Sequence, residues 1–137
     1  MLFPIAAMLF AQTVAAQQPM EMDKPISFGP LQIACSGVGS AKDDPEWKAY
    51  PIRIEFSNAA AQYLSGAHVT ISMGGKQVAD LNCAGPWVLV QGQAGSYRVE
   101  ATINGAGPGT ASADFKLTSG GPQKRVVLRF KSEQANE

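Results

Sequence analysis

The feature that most constrains this chain is a repeated alternation of apolar and polar residues with a period of two. In the clearest example the apolar positions are Tyr97, Val99, Ala101 and Ile103. The same alternation occurs in residues 50–57, 68–73, 111–117 and 123–131. Successive side chains of a β-strand point to opposite faces, so each segment predicts a strand with one buried and one solvated face.

Glycine and proline separate these segments. Gly74-Gly75 and Gly120-Gly121-Pro122 predict turns between strands. Residues 87–90 are continuously apolar, which favours a central strand buried on both faces. No segment has a sustained helical period, and only residues 45–48 suggest a helical turn. The sequence therefore predicts an all-β fold, an antiparallel β-sandwich of about seven to eight strands.

The first sixteen residues have the character of an export signal. They carry no charge, are too short to span a bilayer, and end in the small residues Val14-Ala15-Ala16. Such signals usually open with Lys or Arg, so the missing basic residue leaves the true start open. We predict a signal peptide over 1–16, a leader with a possible edge strand over 17–35, the sandwich domain over 36–131 and a disordered tail over 132–137. The expected location is periplasmic or secreted, with no membrane span.

The chain contains two cysteines, Cys35 and Cys83. An even number of cysteines in an exported protein favours a disulfide between them. The alternative is a redox or metal-binding thiol pair, but there is no Cys-x-x-Cys motif and His68 is the only histidine. The segment before Cys35 contains charged residues and prolines, which excludes a lipid-attachment signal there.

The charge balance excludes one class of partner. Lysine and arginine number 11, aspartate and glutamate also number 11, and the formal net charge is zero. Without a basic excess to neutralise phosphates, the chain is not expected to bind nucleic acid. It also lacks a glycine-rich phosphate-binding loop followed by Lys-Ser or Lys-Thr, so no nucleotide cofactor is predicted.

Three motifs occur in an order that resembles a known module. They are residues 64–71 (LSGAHVTI), Gly85-Pro86-Trp87 and residues 95–101 (GSYRVEA). Over about residues 36–131 the chain resembles the carboxypeptidase regulatory-like domains, whose β-sandwich is similar to that of transthyretin (prealbumin). Gly37-Val38-Gly39 and Tyr63-Leu64 make it similar to small periplasmic proteobacterial members. The resemblance implies a prealbumin-like sandwich without catalytic residues; in larger proteins such modules accompany an enzyme or a membrane receptor.

The candidate catalytic and metal-binding residues are few. His68 alternates with the apolar Val69, so we expect it on the exposed face of a strand as a surface histidine. Asp43, Asp44 and Glu46 cluster in a loop, where we expect a helix cap or a solvated patch; a cation site is the alternative. The sequence accordingly predicts no catalytic, cofactor-binding or metal-binding residues.

The candidate binding residues are aromatic. Trp87 follows a Gly-Pro turn and is expected to pack beneath it against the disulfide; the alternative is a partly exposed ring that contacts a partner or a sugar. Trp47 lies in the front loop and is expected to be exposed. Together with Tyr50 and Tyr63 it is predicted to form an aromatic patch.

These observations favour an exported, non-catalytic binding or interaction module of the bacterial envelope. Its partner would be a protein or a carbohydrate, and its oligomeric state is left open. An accessory subunit, or a hydrolase with an unrecognised site, is the alternative. Envelope assembly through an exposed sheet edge is a third hypothesis.

Overall fold

The computed structural model describes residues 18–103, 109–118 and 120–130. The predicted signal peptide and tail lie outside these residues. The described strands are β1 (Ile26–Phe28), β2 (Leu31–Ser36), β3 (Ile52–Ser57), β4 (Ala67–Met73), β5 (Lys76–Cys83), β6 (Trp87–Gly92), β7 (Gly95–Ile103), β8 (Thr110–Leu117) and β9 (Lys124–Arg129). Between β2 and β3 lie a 3-10 turn (Ser40–Asp43) and a short helix, α1 (Pro45–Lys48).

The strands form two sheets. The first has the order β1-β2-β6-β3-β9 and the second has the order β5-β4-β7-β8. All neighbours are antiparallel except β3 and β9, which run parallel. The predicted all-β antiparallel sandwich is thus confirmed, with one parallel pair that the sequence did not indicate.

The strand count differs from the prediction at one place. The segment treated as one possible edge strand forms two, because Gly29 adopts a left-handed φ of 52° and is followed by Pro30, which turns the chain. The second of these strands, β2, pairs with β1 on one side and β6 on the other. It is an interior strand, so the sandwich begins before residue 36.

The core lies between the sheets and follows the predicted alternation. Its fully buried members include Ile33, Ile54, Phe56, Val69, Ile71, Val88 and Val99. Tyr97 is also buried; its ring stacks on Phe115 at 5.5 Å, and its hydroxyl donates to the carbonyl of Gln93 at 2.6 Å. The one buried aromatic hydroxyl of this core is therefore satisfied by the backbone.

A disulfide joins the two sheets, as the two cysteines predicted. Cys35 lies in β2 and Cys83 ends β5, with their Cα atoms 5.7 Å apart. Both side chains are buried in the core between the sheets. The bond links residues 48 positions apart, which corresponds to about 4 kcal/mol of stabilisation in the chain-entropy estimate.

Replacing both cysteines with alanine should lower the free energy of unfolding by about 2–4 kcal/mol, because the unfolded chain regains the freedom of a long loop. Urea denaturation followed by circular dichroism measures the change. Reducing the unaltered protein should produce a similar shift, and the double variant should not respond to the reductant. An unchanged urea midpoint in both cases would show that the crosslink does not stabilise the fold.

Candidate functional site

The outer face of the four-stranded sheet is polar. Its side chains include His68, Thr70, Asp80, Arg98, Glu100, Thr102, Ser112 and Asp114. Arg98 links β7 to β8 by donating from Nη1 to Asp114 at 3.2 Å and from Nη2 to Ser112 at 3.0 Å. These groups are exposed and paired on the surface, as is usual for a solvated sheet face.

Part of the outer face of the five-stranded sheet is covered by the segment that contains α1. Asp44 caps this helix by accepting from the amide of Glu46 at 2.9 Å, and Pro45 occupies its first position. The helix thereby directs Trp47 onto the sheet, where it packs with Tyr50, Ala34 and Leu89 in a second small core. The predicted cap is confirmed for Asp44.

The uncovered part of the same face carries five side chains in contact. They are Arg53, Glu55, Tyr63, Trp87 and Arg125. We call this group the Arg–Trp surface. It spans three neighbouring strands, since β3 lies between β6 and β9.

Glu55 is the centre of the Arg–Trp surface and is only 1% exposed. Its Oε2 accepts from the Nε of Arg53 at 3.1 Å and from the Nε of Arg125. Its Oε1 accepts from the Nη2 of Arg125 at 3.0 Å and from the hydroxyl of Tyr63 at 2.7 Å. Four donors therefore satisfy a carboxylate that can only accept, which is the arrangement a buried ionised carboxyl requires.

The protonation of Glu55 follows from these contacts. Burial alone would raise the pKa of its carboxyl, but the hydrogen bonds from Arg125 and Tyr63 and the charges of both arginines outweigh that effect. The pKa of Glu55 is therefore held below its ordinary value of 4.5. The same contact raises the pKa of Arg125, so the pair is fully ionised at neutral pH.

Trp87 is ordered by its neighbours on this surface. The Arg53 guanidinium lies 4.2 Å from the centre of the indole ring, within cation–π distance. Tyr63 meets the ring in an edge-to-face arrangement, with centroids 6.4 Å apart and planes at 81°. The indole Nε1 is buried and has no hydrogen-bond partner among the described residues.

The exposed apolar side chains gather around the same surface. In the described part of the chain, the large hydrophobic residues that are exposed are Val38 (56%), Tyr63 (52%) and Val127 (42%). Val127 stands opposite Glu55 in the β3–β9 register. Val38 follows Gly37, where an added Cβ would lie 2.8 Å from the Trp87 ring. Tyr63 is thus a member of the Arg–Trp surface, Val127 is next to Glu55, and the chain beside Val38 passes close to Trp87.

The predicted aromatic patch is only partly formed. The expected exposure of Trp47 is wrong: Trp47 and Tyr50 are 3% and 2% exposed, because the capped helix turns them onto Ala34 and Leu89. Burial and the negative charge of Glu46 raise the pKa of the Tyr50 phenol above its ordinary value. Of the four aromatic candidates, the structure brings Tyr63 and Trp87 together and places the other two in the second core.

The packing expected for the Trp87 ring is also wrong. The Gly-Pro turn before it does contact the disulfide, with the Gly85 amide 3.5 Å from the Cys35 Sγ. The ring itself lies on the other face of β6, because its neighbour Val88 is the residue that points into the core. The alternative, a partly exposed ring, matches the intermediate exposure of Trp87.

Sequence reasoning missed Arg53, Glu55 and Arg125. Each stands at an outward position of a strand, where alternation predicts an ordinary solvated charge. The sequence offered one signal: Arg53 and Glu55 lie on the same predicted face of residues 50–57, where they could form an ion pair. The contact with Arg125, 70 residues away from Glu55, has no counterpart in the local pattern.

The remaining candidates have structural or solvated surroundings. The Nε2 of His68 lies 2.6 Å from the Oδ1 of Asp80, and the two side chains are 44% and 37% exposed. The described residues contain no group of three or more His, Cys, Asp or Glu side chains placed to hold a metal ion. Within the described ranges, no helix is long and apolar enough to cross a membrane.

No protein-family model matches the chain, and no curated protein is significantly similar to it in sequence.

Acidification should selectively remove the contribution of Glu55 to stability. Its pKa is lower in the folded than in the unfolded chain, so its contribution is complete above about 4.5 and is lost as the pH falls through the lower folded value. At pH 7, Glu55→Gln should lower the free energy of unfolding by about 1–3 kcal/mol, and the difference from the unaltered protein should shrink below pH 4.5.

Urea denaturation at several pH values measures this difference. Glu100→Gln is the matched control, because the Glu100 side chain is 52% exposed and pairs with Arg98 at the surface. It should change stability little at any pH. Equal effects of the two substitutions would show that the buried carboxylate has no special role.

Proposed function

We propose that the chain is an exported, non-catalytic interaction module of the bacterial envelope and that the Arg–Trp surface binds a protein partner. One observation carries the proposal: the exposed Tyr63 and Val127 lie in or beside a single group of contacting tryptophan, tyrosine and arginine side chains. These three residue types dominate the binding energy of protein–protein interfaces. The opposite face of the sandwich, by contrast, is uniformly polar.

A protein partner fits this surface better than a carbohydrate. A sugar stacks on the open face of an aromatic ring, whereas one face of Trp87 is covered by Arg53 and its edge is met by Tyr63. The stacked group instead offers an amphipathic surface of exposed tyrosine and valine beside guanidinium groups. Such a surface suits apolar contacts with polar groups at the rim.

Preorganisation gives further support. Glu55 fixes Arg53, Arg125 and Tyr63 by hydrogen bonds before any partner arrives. Ordering a long side chain on binding costs about 0.5–1.5 kcal/mol, and here that cost is met during folding.

Export and family membership are part of the same proposal. The apolar residues 1–16 and the disulfide between Cys35 and Cys83 both support an oxidising compartment outside the cytosol. The motifs around residues 64–71 and 95–101, on a two-sheet sandwich, support membership of the carboxypeptidase regulatory-like group. Modules of that group lack catalytic residues, which agrees with an interaction role.

The second candidate, a hydrolase, rests on the His68–Asp80 hydrogen bond, because an imidazole held by a carboxylate is two-thirds of a catalytic triad. Both side chains are well exposed on an open sheet face, where water screens the interaction. A panel of ester, amide and glycoside substrates distinguishes the two functions. Hydrolysis that survives purification and disappears in His68→Ala would overturn the interaction proposal.

Replacing exposed residues of the Arg–Trp surface should weaken partner binding at least tenfold, or about 1.4 kcal/mol. Suitable variants are Tyr63→Ala and Val127→Glu, because both side chains are solvent-exposed. Tyr63→Ala also removes one hydrogen bond to Glu55, so circular dichroism is used to verify that each variant is folded. The unaltered protein, immobilised, is used to capture its partner from an envelope extract, and the affinity of the captured protein is then measured against each variant. Ser112→Glu, on the polar face of the other sheet, is the control and should bind normally.

The opposite pattern, with binding lost in Ser112→Glu and retained in the other two variants, would place the interface on the four-stranded sheet.

Secretion should remove the first sixteen residues. The predicted cleavage follows Ala16, so the mature chain should begin at Gln17. N-terminal sequencing and the intact mass of protein from the periplasm or medium measure this directly. Alkylation of the denatured protein without reductant should detect no free thiol. A cytosolic chain with an intact N-terminus and two reactive thiols would contradict export.

A further inference from the structure

A cavity lies on the side of the sandwich where β8 and β9 meet. These are edge strands of different sheets, and they lie side by side without pairing with each other. The cavity between them has a volume of about 320 Å³, which falls within the range of small-molecule sites, roughly 300–1,000 Å³. The Arg–Trp surface occupies the outer face of one sheet, whereas this cavity opens between the two sheets.

The floor of this interstrand cavity is apolar. Its apolar lining consists of Ile52, Phe115 and Val126, one side chain each from β3, β8 and β9. Ile52 and Phe115 belong to the main core, and Val126 packs against that core while remaining partly exposed. A hydrocarbon group placed here would continue the core toward the open side of the sandwich, with apolar contacts on both sheets.

The rim of the cavity is positively charged. Its charged lining residues are Asp114, Lys116, Lys124 and Arg125. Asp114 is paired with Arg98, and Arg125 is paired with Glu55. Neither Lys116 nor Lys124 forms an ion pair within the described ranges. Two lysines therefore line the cavity without an ion-pair partner among the described residues.

Lys124 lies on the face of β9 that points toward the cavity. In β9 the side chains alternate, and Lys124 lies on the same face as Val126 and Leu128, the face that covers the core. It is nevertheless exposed, because the core ends at this point and the cavity begins. Lysine at an inward position of a strand places its ammonium beside the apolar floor while its stem follows the cavity wall.

We propose that this interstrand cavity binds a small amphipathic carboxylate, with its hydrocarbon chain on Ile52, Phe115 and Val126 and its carboxylate between Lys116 and Lys124. The apolar floor selects the hydrocarbon, and the unpaired ammonium groups select the negative charge. Ser96 is also in the lining, and its hydroxyl is able to donate a hydrogen bond. This ligand differs from the protein partner proposed for the Arg–Trp surface, although Arg125 belongs to both sites.

Calorimetric titration of the purified protein with octanoate tests the proposal. Octanoate should bind with a Kd of about 1 mM or tighter. Octylammonium has the same hydrocarbon chain with the opposite charge, and acetate has the charge without the chain; both should bind at least tenfold more weakly. Equal binding of octanoate and octylammonium, or no heat from octanoate, would overturn the proposal.

Matched variants locate the site. The double variant Lys116→Glu/Lys124→Glu should weaken octanoate binding at least tenfold, because it reverses both charges at the entrance. Lys76→Glu is the control: it lies in β5, at the opposite edge of the four-stranded sheet, and should bind octanoate normally. Equal loss in the control would show a non-specific charge effect and overturn the assignment.

Val126→Trp tests whether octanoate needs the space inside the cavity as well as the charge of the lysines. The larger side chain fills the apolar floor while both lysines remain, so octanoate binding should be lost. The near-ultraviolet circular dichroism spectrum and the melting temperature of each variant verify the native fold. If Val126→Trp is folded and still binds octanoate with unchanged affinity, the ligand lies elsewhere and the proposal fails.

Discussion

The disulfide between Cys35 and Cys83 is the constraint on which the rest of the structure depends. It joins two sheets that have no strand in common, and it lies inside the core that they share. The turn before β6 packs beside it: the Gly85 amide is 3.5 Å from the Cys35 Sγ, and a Cβ at Gly85 would lie 2.4 Å from the carbonyl of Ser36. Trp87, the first residue of β6, consequently leaves this turn on the outer face, where the candidate surface forms.

Charged side chains on the two outer faces have different surroundings: exposed on one sheet and partly buried on the other. On the four-stranded sheet, ions such as Arg98 pair in water and contribute little to stability or specificity. On the five-stranded sheet, Glu55 is withdrawn from water and must be matched by nearby donors. Arg53 also stacks on Trp87, and Tyr63 exposes its ring, so the groups that satisfy Glu55 also order the proposed binding surface.

Much of the fold could be predicted from the sequence, and about half of the site could not. Period-two alternation indicates the strands because it depends only on neighbouring residues. The burial of Trp47 depends instead on room above Ala34 and on contact with Leu89, a residue distant in sequence. The burial of Glu55 depends on the parallel pairing of β3 with β9, which brings Arg125 beside it. The pattern of neighbouring residues in the sequence indicates neither of these contacts.

The placement of β9 has a consequence for how the chain reaches its native state. Along the sequence the strands change sheet repeatedly, and the last strand pairs with β3 near the beginning of the domain. Until residues 124–129 are available, β3 has an open edge and Glu55 lacks one of its two guanidinium partners. Because this pairing joins distant residues, we expect it to form late in folding, and a chain without residues 124–129 should not complete the five-stranded sheet.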